Sequence, residues 1–235
     1  MGINIEALNE RFKNESIEFM LECYLEAHKG TIALASSFGV EDQVLTDILI
    51  KLDPAVKIFT LDTGRLSEET YTVMDQTNRK YGINVQVYCP DRTSLEKLYQ
   101  MQGINGFKES VENRKMCCQV RKMEPLGRAL EGLDVWITGL RRAQSPTRET
   151  MQLIEWDESN KLIKLNPLID WDEERVWDYI KTYKVPYNAL HDQGYPSIGC
   201  APCTRPIREG EDIRAGRWWW ENPEHKECGL HLKGK

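Results

Sequence analysis

The sequence has 235 residues, which is enough for one domain with a substantial buried core. Charged residues make up 29% of it and the formal net charge is −6, so overall charge gives it no attraction to nucleic acid or to an anionic membrane. No apolar run approaches the ~20 residues of a membrane span. Seven cysteines and a charged N-terminus without an apolar leader lead us to expect a reducing, cytoplasmic compartment.

Helical and strand-like segments alternate along most of the chain. Helices are recognised by apolar residues at intervals of three and four, and buried strands by short apolar runs. In chain order, the sequence predicts a helix from Ile17 to Gly30, a strand over 31–35, a helix from Val40 that Asp53 breaks, a strand over 56–61, a helix from an N-cap at Ser67 to about Lys80, a strand over 85–88, a helix opened by a capping-box pattern at Thr93, a strand over 135–138, strand-like runs over 151–155 and 162–165, and a helix opened by 170–173 that ends before Pro186.

This alternation predicts an α/β fold, with a parallel sheet and helices on both faces. The two later strand-like runs fit an added hairpin or edge. Beyond Asn188 the apolar periodicity fades, and Gly, Pro, Arg and Trp dominate. We therefore expect a single domain overall, with an α/β part over 1–187 and an irregular C-terminal segment over 188–235.

Three polar loops follow predicted strands, at the sheet edge where open α/β sheets bind ligands. The first loop precedes a helix, whose free N–H groups suit an anion such as a phosphate. Taken alone, it could equally be an ordinary strand-to-helix turn. Arg141, Arg142 and Arg148 could clamp an anion, or they could lie on a solvated loop. The loop residues that we predict to bind a nucleotide are Ser36, Ser37, Phe38, Gly39, Asp62, Thr63, Gly64, Arg65, Gly139, Arg141 and Arg142.

The cysteines form two pairs and a single residue near the C-terminus. Four thiolates, from Cys117, Cys118, Cys200 and Cys203, can bind zinc or an iron–sulfur cluster. The adjacent pair favours a 4Fe–4S cluster, because neighbours on a helix project about 100° apart and a cluster offers separate irons. Some of them could instead be small buried hydrophobes. Cys228, in a polar Glu-Cys-Gly context, is predicted to be a reactive thiol.

The two remaining cysteines, and a lysine that follows the first pair, also have candidate roles. Cys23 and Cys89 are predicted to be buried thiols on a helix and at a strand end. Lys122 follows Cys118 by four residues, one helical turn away, so it could lie near both a cluster and a bound anion. It could also be an ordinary exposed lysine.

At these residues the chain resembles the assimilatory adenylyl-sulfate (APS) and phosphoadenylyl-sulfate (PAPS) reductases. The resemblance extends from about Ala33 to the C-terminus. It comprises Ser36-Ser37-Phe38-Gly39-Val40-Glu41-Asp42, Leu61-Asp62-Thr63-Gly64-Arg65, Cys117-Cys118 with Arg121-Lys122, Gly139-Leu140-Arg141-Arg142 with Gln144-Ser145, the run from Gly194 to Cys200 with Cys203, Gly216-Arg217-Trp218, and Glu227-Cys228-Gly229-Leu230-His231.

The resemblance implies an adenine-nucleotide α-hydrolase-like fold and a 4Fe–4S cluster on the two cysteine pairs. It implies that Cys228 is the nucleophile, with thioredoxin or a glutaredoxin-like protein as electron donor. The paired cysteines favour APS as substrate over PAPS. The family's anion-contacting basic residues correspond to Lys122, Arg141 or Arg142, Arg214 and Arg217. Some members of the family have a histidine just before the cysteine pair, where this chain has Asn113-Arg114-Lys115-Met116. Any role of that histidine therefore cannot be assigned to this chain.

The chemistry that we expect is transfer of the sulfonate to Cys228 with loss of AMP, followed by release of sulfite by a donor thiol. A dual or PAPS-preferring reductase is the alternative. An ATP-using adenylating or thiolating enzyme is less favoured, because its usual Ser-Gly-Gly-x-Asp-Ser loop is absent. A non-enzymatic, cluster-bearing redox sensor is also less favoured, because of the nucleotide-type loops and the single cysteine near the C-terminus. His231 could tune the thiol or be exposed, and a homo-oligomer is possible.

Overall fold

A computed structural model describes residues 3–145 and 148–222 of the chain. Helices and strands alternate through most of these ranges, as the sequence predicts. The helices are α1 (Ile5–Phe12), α2 (Ile17–Ala27), α3 (Val40–Leu52), α4 (Glu68–Tyr81), α5 (Arg92–Gln102), α6 (Val111–Cys118), α7 (Glu124–Leu130) and α8 (Glu173–Thr182). The strands are β1 (Ile32–Ala35), β2 (Lys57–Leu61), β3 (Gln86–Tyr88), β4 (Val135–Ile137), β5 (Ile154–Asp157) and β6 (Leu162–Leu165).

The strands form one mixed sheet in the order β3-β2-β1-β4-β6-β5. All neighbouring strands are parallel except β5, which forms an antiparallel hairpin with β6 at one edge. Leu34 in the central strand pairs with Ile58 on one side and with Ile137 on the other. The predicted α/β sheet and its added hairpin are therefore confirmed.

Both faces of the sheet are covered, because alternate strand residues point to opposite sides. Leu34 and Ile137 belong to the large core cluster that α2, α3 and α8 complete. Ala33 and Trp136, one residue earlier in each strand, belong to a second cluster with Leu126 and other residues of α7. The carboxyl ends of β1, β2 and β4 consequently stay at one edge, and the loops that follow them meet there.

Two parts of the structure differ from the sequence prediction. Helix α5 begins at Arg92, and Asp91 rather than Thr93 is its N-cap, since Asp91 accepts a 2.8 Å hydrogen bond from the backbone N–H of Ser94. Helices α1, α6 and α7 were not predicted. Of these, α6 buries a charged residue, Arg114, instead of an apolar stripe, so it lacks the periodic signal that reveals a helix.

Between α8 and Asn222 the chain is irregular, as predicted, and carries short 3-10 turns at Ala189–Gln193 and Ala201–Cys203. An isolated antiparallel bridge joins Thr204 to Arg217. The division of the chain at residue 187 stays a prediction. Among the described helices, none is both long enough and apolar enough to cross a membrane.

Candidate functional site

A cavity of about 240 Å³ opens at the carboxyl ends of β1, β2 and β4. We call it the strand-end cavity. Most residues that the sequence nominated for nucleotide binding meet there, although they come from distant parts of the chain. Those that line it are Ser36, Ser37, Gly39, Thr63, Lys122, Gly139, Arg141, Arg214 and Arg217. Nominated residues that are not among its lining are Phe38, Asp62, Gly64, Arg65 and Arg142.

The first loop is organised around a carboxylate that the sequence analysis did not single out. Both the backbone N–H and the hydroxyl of Ser37 donate to Oδ2 of Asp42, at 2.6 and 2.7 Å. Burial raises the pKa of Asp42 to about 6, although the hydrogen bonds from Ser37 act in the opposite direction. Phe38 turns away into the core with a φ of 60°. The backbone and side-chain donors of Ser37 are therefore both directed at this carboxylate.

Gly139 allows this carboxylate to come close to the third loop. A Cβ atom at position 139 would lie 2.3 Å from Oδ1 and 3.0 Å from the backbone nitrogen of Asp42. Any larger residue would push the start of α3 away from β4. The glycine thus fixes how closely the first and third loops approach.

The two neighbouring arginines, which the sequence left as alternatives, are separated by the fold. Arg141 is buried at the strand-end cavity, and its guanidinium pairs with Glu41 at 2.8 Å. Arg142 instead donates from Nε to the carbonyl oxygen of Met151 and forms an ion pair with Asp170. Only the first of the two arginines therefore borders the cavity.

The second loop connects the strand-end cavity to the cysteines. Asp62 accepts 2.8 Å hydrogen bonds from the backbone N–H of Gly64 and the hydroxyl of Tyr71, so its side chain shapes the loop. The Thr63 hydroxyl lies 3.2 Å from Sγ of Cys200. The guanidinium of Arg65 lies 5.0 Å from the Phe107 ring centroid, on the side of the cysteines.

The four paired cysteines surround a second, smaller cavity, which we call the cysteine cavity. Cys117 and Cys118 reach it from the last turn of α6, and Cys200 and Cys203 from the 3-10 turn at Ala201–Cys203. The backbone N–H of Ala201 donates to the carbonyl oxygen of Arg65 at 2.8 Å, which ties that turn to the second loop. Residues far apart in sequence thus present four thiols to one space.

This donor set fits a cluster better than a single ion. Among the described residues, no three His, Cys, Asp or Glu side chains are gathered closely enough to hold one metal ion. Tetrahedral zinc needs four sulfurs about 2.3 Å from one point, whereas a 4Fe–4S cluster spreads four thiolates over four irons. Burial raises the pKa of Cys117, and it raises that of Cys203 to about 12. A cationic metal bound between these thiols would favour their ionised forms.

A widened helical turn follows the first cysteine pair and contains Lys122. Residues Gln119–Met123 form this π turn between α6 and α7. Arg121 in this turn is buried and donates to the Thr63 carbonyl oxygen and the Tyr99 hydroxyl, both at 2.6 Å. The turn is thereby fixed to the second loop, and Lys122 borders both cavities.

The two cavities share a wall. Lys122, Cys200, Arg217 and Trp218 line both of them. A ligand in the strand-end cavity would therefore lie beside the cysteines, with a lysine and an arginine at the boundary.

Sequence reasoning missed Glu41 and Asp42 as site residues, and also His191. His191 lies in the wall of the strand-end cavity with its ring edge-on to Trp177, and burial lowers its pKa. It lies in a 3-10 turn of the irregular segment, where no sequence motif marks it.

The cysteines outside the two pairs differ from their prediction to different degrees. The predicted burial of Cys89 is wrong, because its side chain is exposed at the end of the edge strand β3. Cys23 is half-buried against the core. Cys228 and His231 lie outside the described residues.

A family model and individual relatives place the chain in the same protein family. Residues 31–206 match the model of the phosphoadenosine phosphosulfate reductase domain. The chain is 54% identical over 203 residues to an adenosine 5'-phosphosulfate reductase of Allochromatium vinosum, covering 86% of this chain and 79% of that protein. It is 46% identical over 220 residues to the protein of the same name from Burkholderia cepacia, covering 94% and 88%.

Solved structures share the architecture. The phosphoadenylyl-sulfate reductase of Candida auris, in a phosphate complex, superposes with a TM-score of 0.76 at 27% identity and covers 87% of this chain and 99% of that one. An FMN adenylyltransferase of Candida glabrata superposes with a TM-score of 0.58 at 16% identity, covering 100% and 82%. The second likeness concerns the fold alone.

Proposed function

Because the chain belongs to the phosphoadenosine phosphosulfate reductase family, we propose that it reduces adenylyl sulfate to sulfite and AMP in sulfate assimilation. It is an oxidoreductase that acts on a sulfur group. The observation that carries the proposal is the shared wall, which brings a cationic cavity of nucleotide-binding type against four cysteines. No other function that we weighed explains both cavities and their contact.

The substrate's negative charge is assigned to the basic residues of the strand-end cavity. Lys122 and Arg217 at the shared wall, with Arg214 nearby, would hold the sulfonate and phosphate oxygens. The loops after β1, β2 and β4 would hold the nucleoside part, as ligands of open α/β sheets are held. Arg141, already paired with Glu41, would contribute less charge to the anion than the sequence alone suggests.

Reduction is proposed to proceed through Cys228. Its thiolate attacks the sulfonate sulfur, an S–S bond forms, the S–O bond to the phosphate breaks, and AMP leaves. Thioredoxin, or a glutaredoxin-like donor, then attacks Cys228 Sγ with one thiolate and releases sulfite. Its second thiol resolves the mixed disulfide, so that the dithiol loses the two electrons that the sulfur gains. This chemistry requires a reducing compartment, which supports a cytoplasmic location.

We assign an iron–sulfur cofactor of 4Fe–4S type to Cys117, Cys118, Cys200 and Cys203. When bound, the cluster would cross-link α6 to the C-terminal segment and supply a fixed charge beside the substrate. The Thr63 hydroxyl would contact one ligand sulfur, since it lies 3.2 Å from Cys200 Sγ. The electrons of the reaction come from the donor thiols.

The test is a mass measurement of the protein after incubation with APS and no donor. We expect an added sulfonate on the wild type and none on Cys228→Ser. Cys89→Ser is the matched control, because it removes an exposed thiol outside both cavities, and it should still gain the adduct. Full labelling of Cys228→Ser, or no labelling of the wild type, would reject the mechanism.

PAPS reduction is the second candidate, favoured by the structural likeness to the Candida auris protein. Comparing sulfite release from APS and from PAPS under one set of conditions decides between them. We expect a higher kcat/KM with APS.

A further inference from the structure

Trp218 occupies an unusual position in the shared wall. Its side chain is 1% exposed, yet its backbone has a φ of +41°, a conformation that bulky residues rarely adopt. Such strain costs about 1–3 kcal/mol and persists only where the surroundings impose it. Trp218 must therefore be held in place by its neighbours.

Two guanidinium groups contact the indole. Arg114, on α6, lies 4.8 Å from the ring centroid, and Arg217 lies 4.7 Å from it. Both arginines line the cysteine cavity, and of the two only Arg217 also lines the strand-end cavity. The indole is thus the physical connection between a cysteine-bearing helix and an anion-binding side chain.

A buried, bidentate ion pair fixes Arg114. Its Nε and Nη2 atoms donate to the two carboxylate oxygens of Glu221 at 3.0 and 2.8 Å, and the two side chains are 2% and 3% exposed. Glu221 also contacts Trp218 through the backbone, because the N–H of Glu221 donates to the carbonyl oxygen of Trp218 at 2.8 Å. Arg114, Trp218 and Glu221 therefore form a closed unit.

Arg217 has little room to move within this arrangement. A Cβ atom at position 199 would lie 2.2 Å from its Nη2 atom, so the guanidinium packs directly against Gly199. Its Nη1 atom donates to the carbonyl oxygen of Ile198 at 3.1 Å. A shift of Trp218 would therefore be transmitted to Arg217.

We propose that Arg114 and Glu221 are positioning residues for the substrate: their ion pair fixes Trp218, and Trp218 fixes the Arg217 guanidinium at the strand-end cavity. The inference rests on the proposed function, because it takes the nucleotide's anionic group as the ligand of Arg217. Neither positioning residue lines the strand-end cavity, so their effect on nucleotide affinity is indirect.

The experiment measures AMP binding by calorimetry to holoenzyme variants that contain equal iron per chain. The variants are Arg114→Lys, which keeps the charge but loses the bidentate geometry, Glu221→Gln, and the uncharged double variant Arg114→Met/Glu221→Leu. The matched control is Arg205→Met/Glu211→Leu. It removes a bidentate pair of the same C-terminal segment, with contacts of 2.8 and 3.0 Å, that is more exposed and borders neither cavity.

We expect the AMP dissociation constant to rise about tenfold in the Arg114 and Glu221 variants, the effect of roughly one misplaced charge-assisted hydrogen bond. KM for APS should rise by more than kcat falls, and the control should match the wild type. If the double variant does not fold, Arg114→Lys alone decides the result. Wild-type AMP affinity in a folded variant, even with a lowered Tm, would overturn the proposal, and so would an equal loss in the control.

Failure of the proposed function would look different. A wild-type protein that binds AMP but forms no sulfite from APS would reject the function and leave the positioning comparison interpretable.

Discussion

Glu41 and Arg141 form a buried ion pair at the strand-end cavity, with 2.8 Å between Oε1 and Nη2. Removing one member of a buried pair leaves a charge without compensation, which costs about 3–5 kcal/mol of stability. We therefore expect Glu41→Gln to lower Tm strongly. An anionic ligand can replace the missing carboxylate, so AMP should raise the Tm of the variant more than that of the wild type.

Thermal unfolding with and without AMP measures both effects of Glu41→Gln. Glu96→Gln is the control, because it breaks an exposed pair with Arg92 and should change stability by less than about 1 kcal/mol. Equal AMP-induced shifts in Glu41→Gln and the wild type would contradict the expectation.

Asp42 should make stability depend on pH. Burial raises its pKa from 3.8 to about 6, so between these values the folded protein binds a proton more tightly than the unfolded chain does. This group therefore removes stability as pH rises from about 4 to about 6, by about 3 kcal/mol in total. His191 makes stability change with pH in the opposite direction. Burial lowers its pKa, so the unfolded chain binds a proton more tightly at this group and the fold loses stability as pH falls.

Comparing Asp42→Asn with the wild type isolates the contribution of Asp42. Urea unfolding between pH 4 and pH 8 should show the variant gaining stability relative to the wild type as pH rises. Parallel stability curves would show that Asp42 does not titrate in this range.

Gly199→Ala should damage substrate binding more than folding. The added methyl group would lie 2.2 Å from Nη2 of Arg217, so it would displace this guanidinium, the end of a side chain rather than backbone, from its place at the cavity. We expect KM for APS to rise about tenfold, with Tm nearly unchanged. Gly127→Ala is the control, because it meets nothing within 4 Å and lies in helix α7, so it should raise stability by about 0.5–1 kcal/mol and leave KM alone. A wild-type KM in Gly199→Ala would count against Arg217 as a substrate contact.

Thr63→Val should weaken retention of iron. The substitution keeps the shape of the side chain but removes the hydroxyl that lies 3.2 Å from Cys200 Sγ. Loss of such an outer contact typically costs 10–100-fold in metal affinity, so we expect release of iron to a chelator to be at least about tenfold faster. Thr63→Ser, which restores a hydroxyl, should release iron at nearly the wild-type rate. Equal release from the valine variant would mean that the hydroxyl does not support the ligand.

The sheet could be predicted because its signals are local. Short apolar runs at 31–35 and 56–61 became the strands β1 and β2, and Ser67 is indeed the N-cap of α4, accepting a hydrogen bond from Thr70 N–H. The loops at the strand ends were found for the same reason, since a parallel sheet brings such ends to one edge.

The helices around the cysteine pair could not be predicted in this way. Their stability depends on contacts with distant residues, such as Arg114 with Glu221 and Arg121 with the Thr63 carbonyl oxygen. A buried arginine looks like a surface residue in a sequence, because its partner is 107 positions away. Long-range pairing of charges leaves no periodic pattern, and this is why Glu41, whose partner Arg141 is 100 positions away, was also missed.

The π turn at Gln119–Met123 has a consequence for the history and redesign of this chain. Such a turn holds one residue more than an α-helix of equal length, so deleting a single residue would leave a smooth, regular helix. Local propensity would improve, yet the residues on one side of the deletion would rotate by about 100° relative to those on the other. The cysteine pair and Lys122 would then no longer face the same boundary. Relatives that share the activity should therefore tolerate neither insertions nor deletions in this turn.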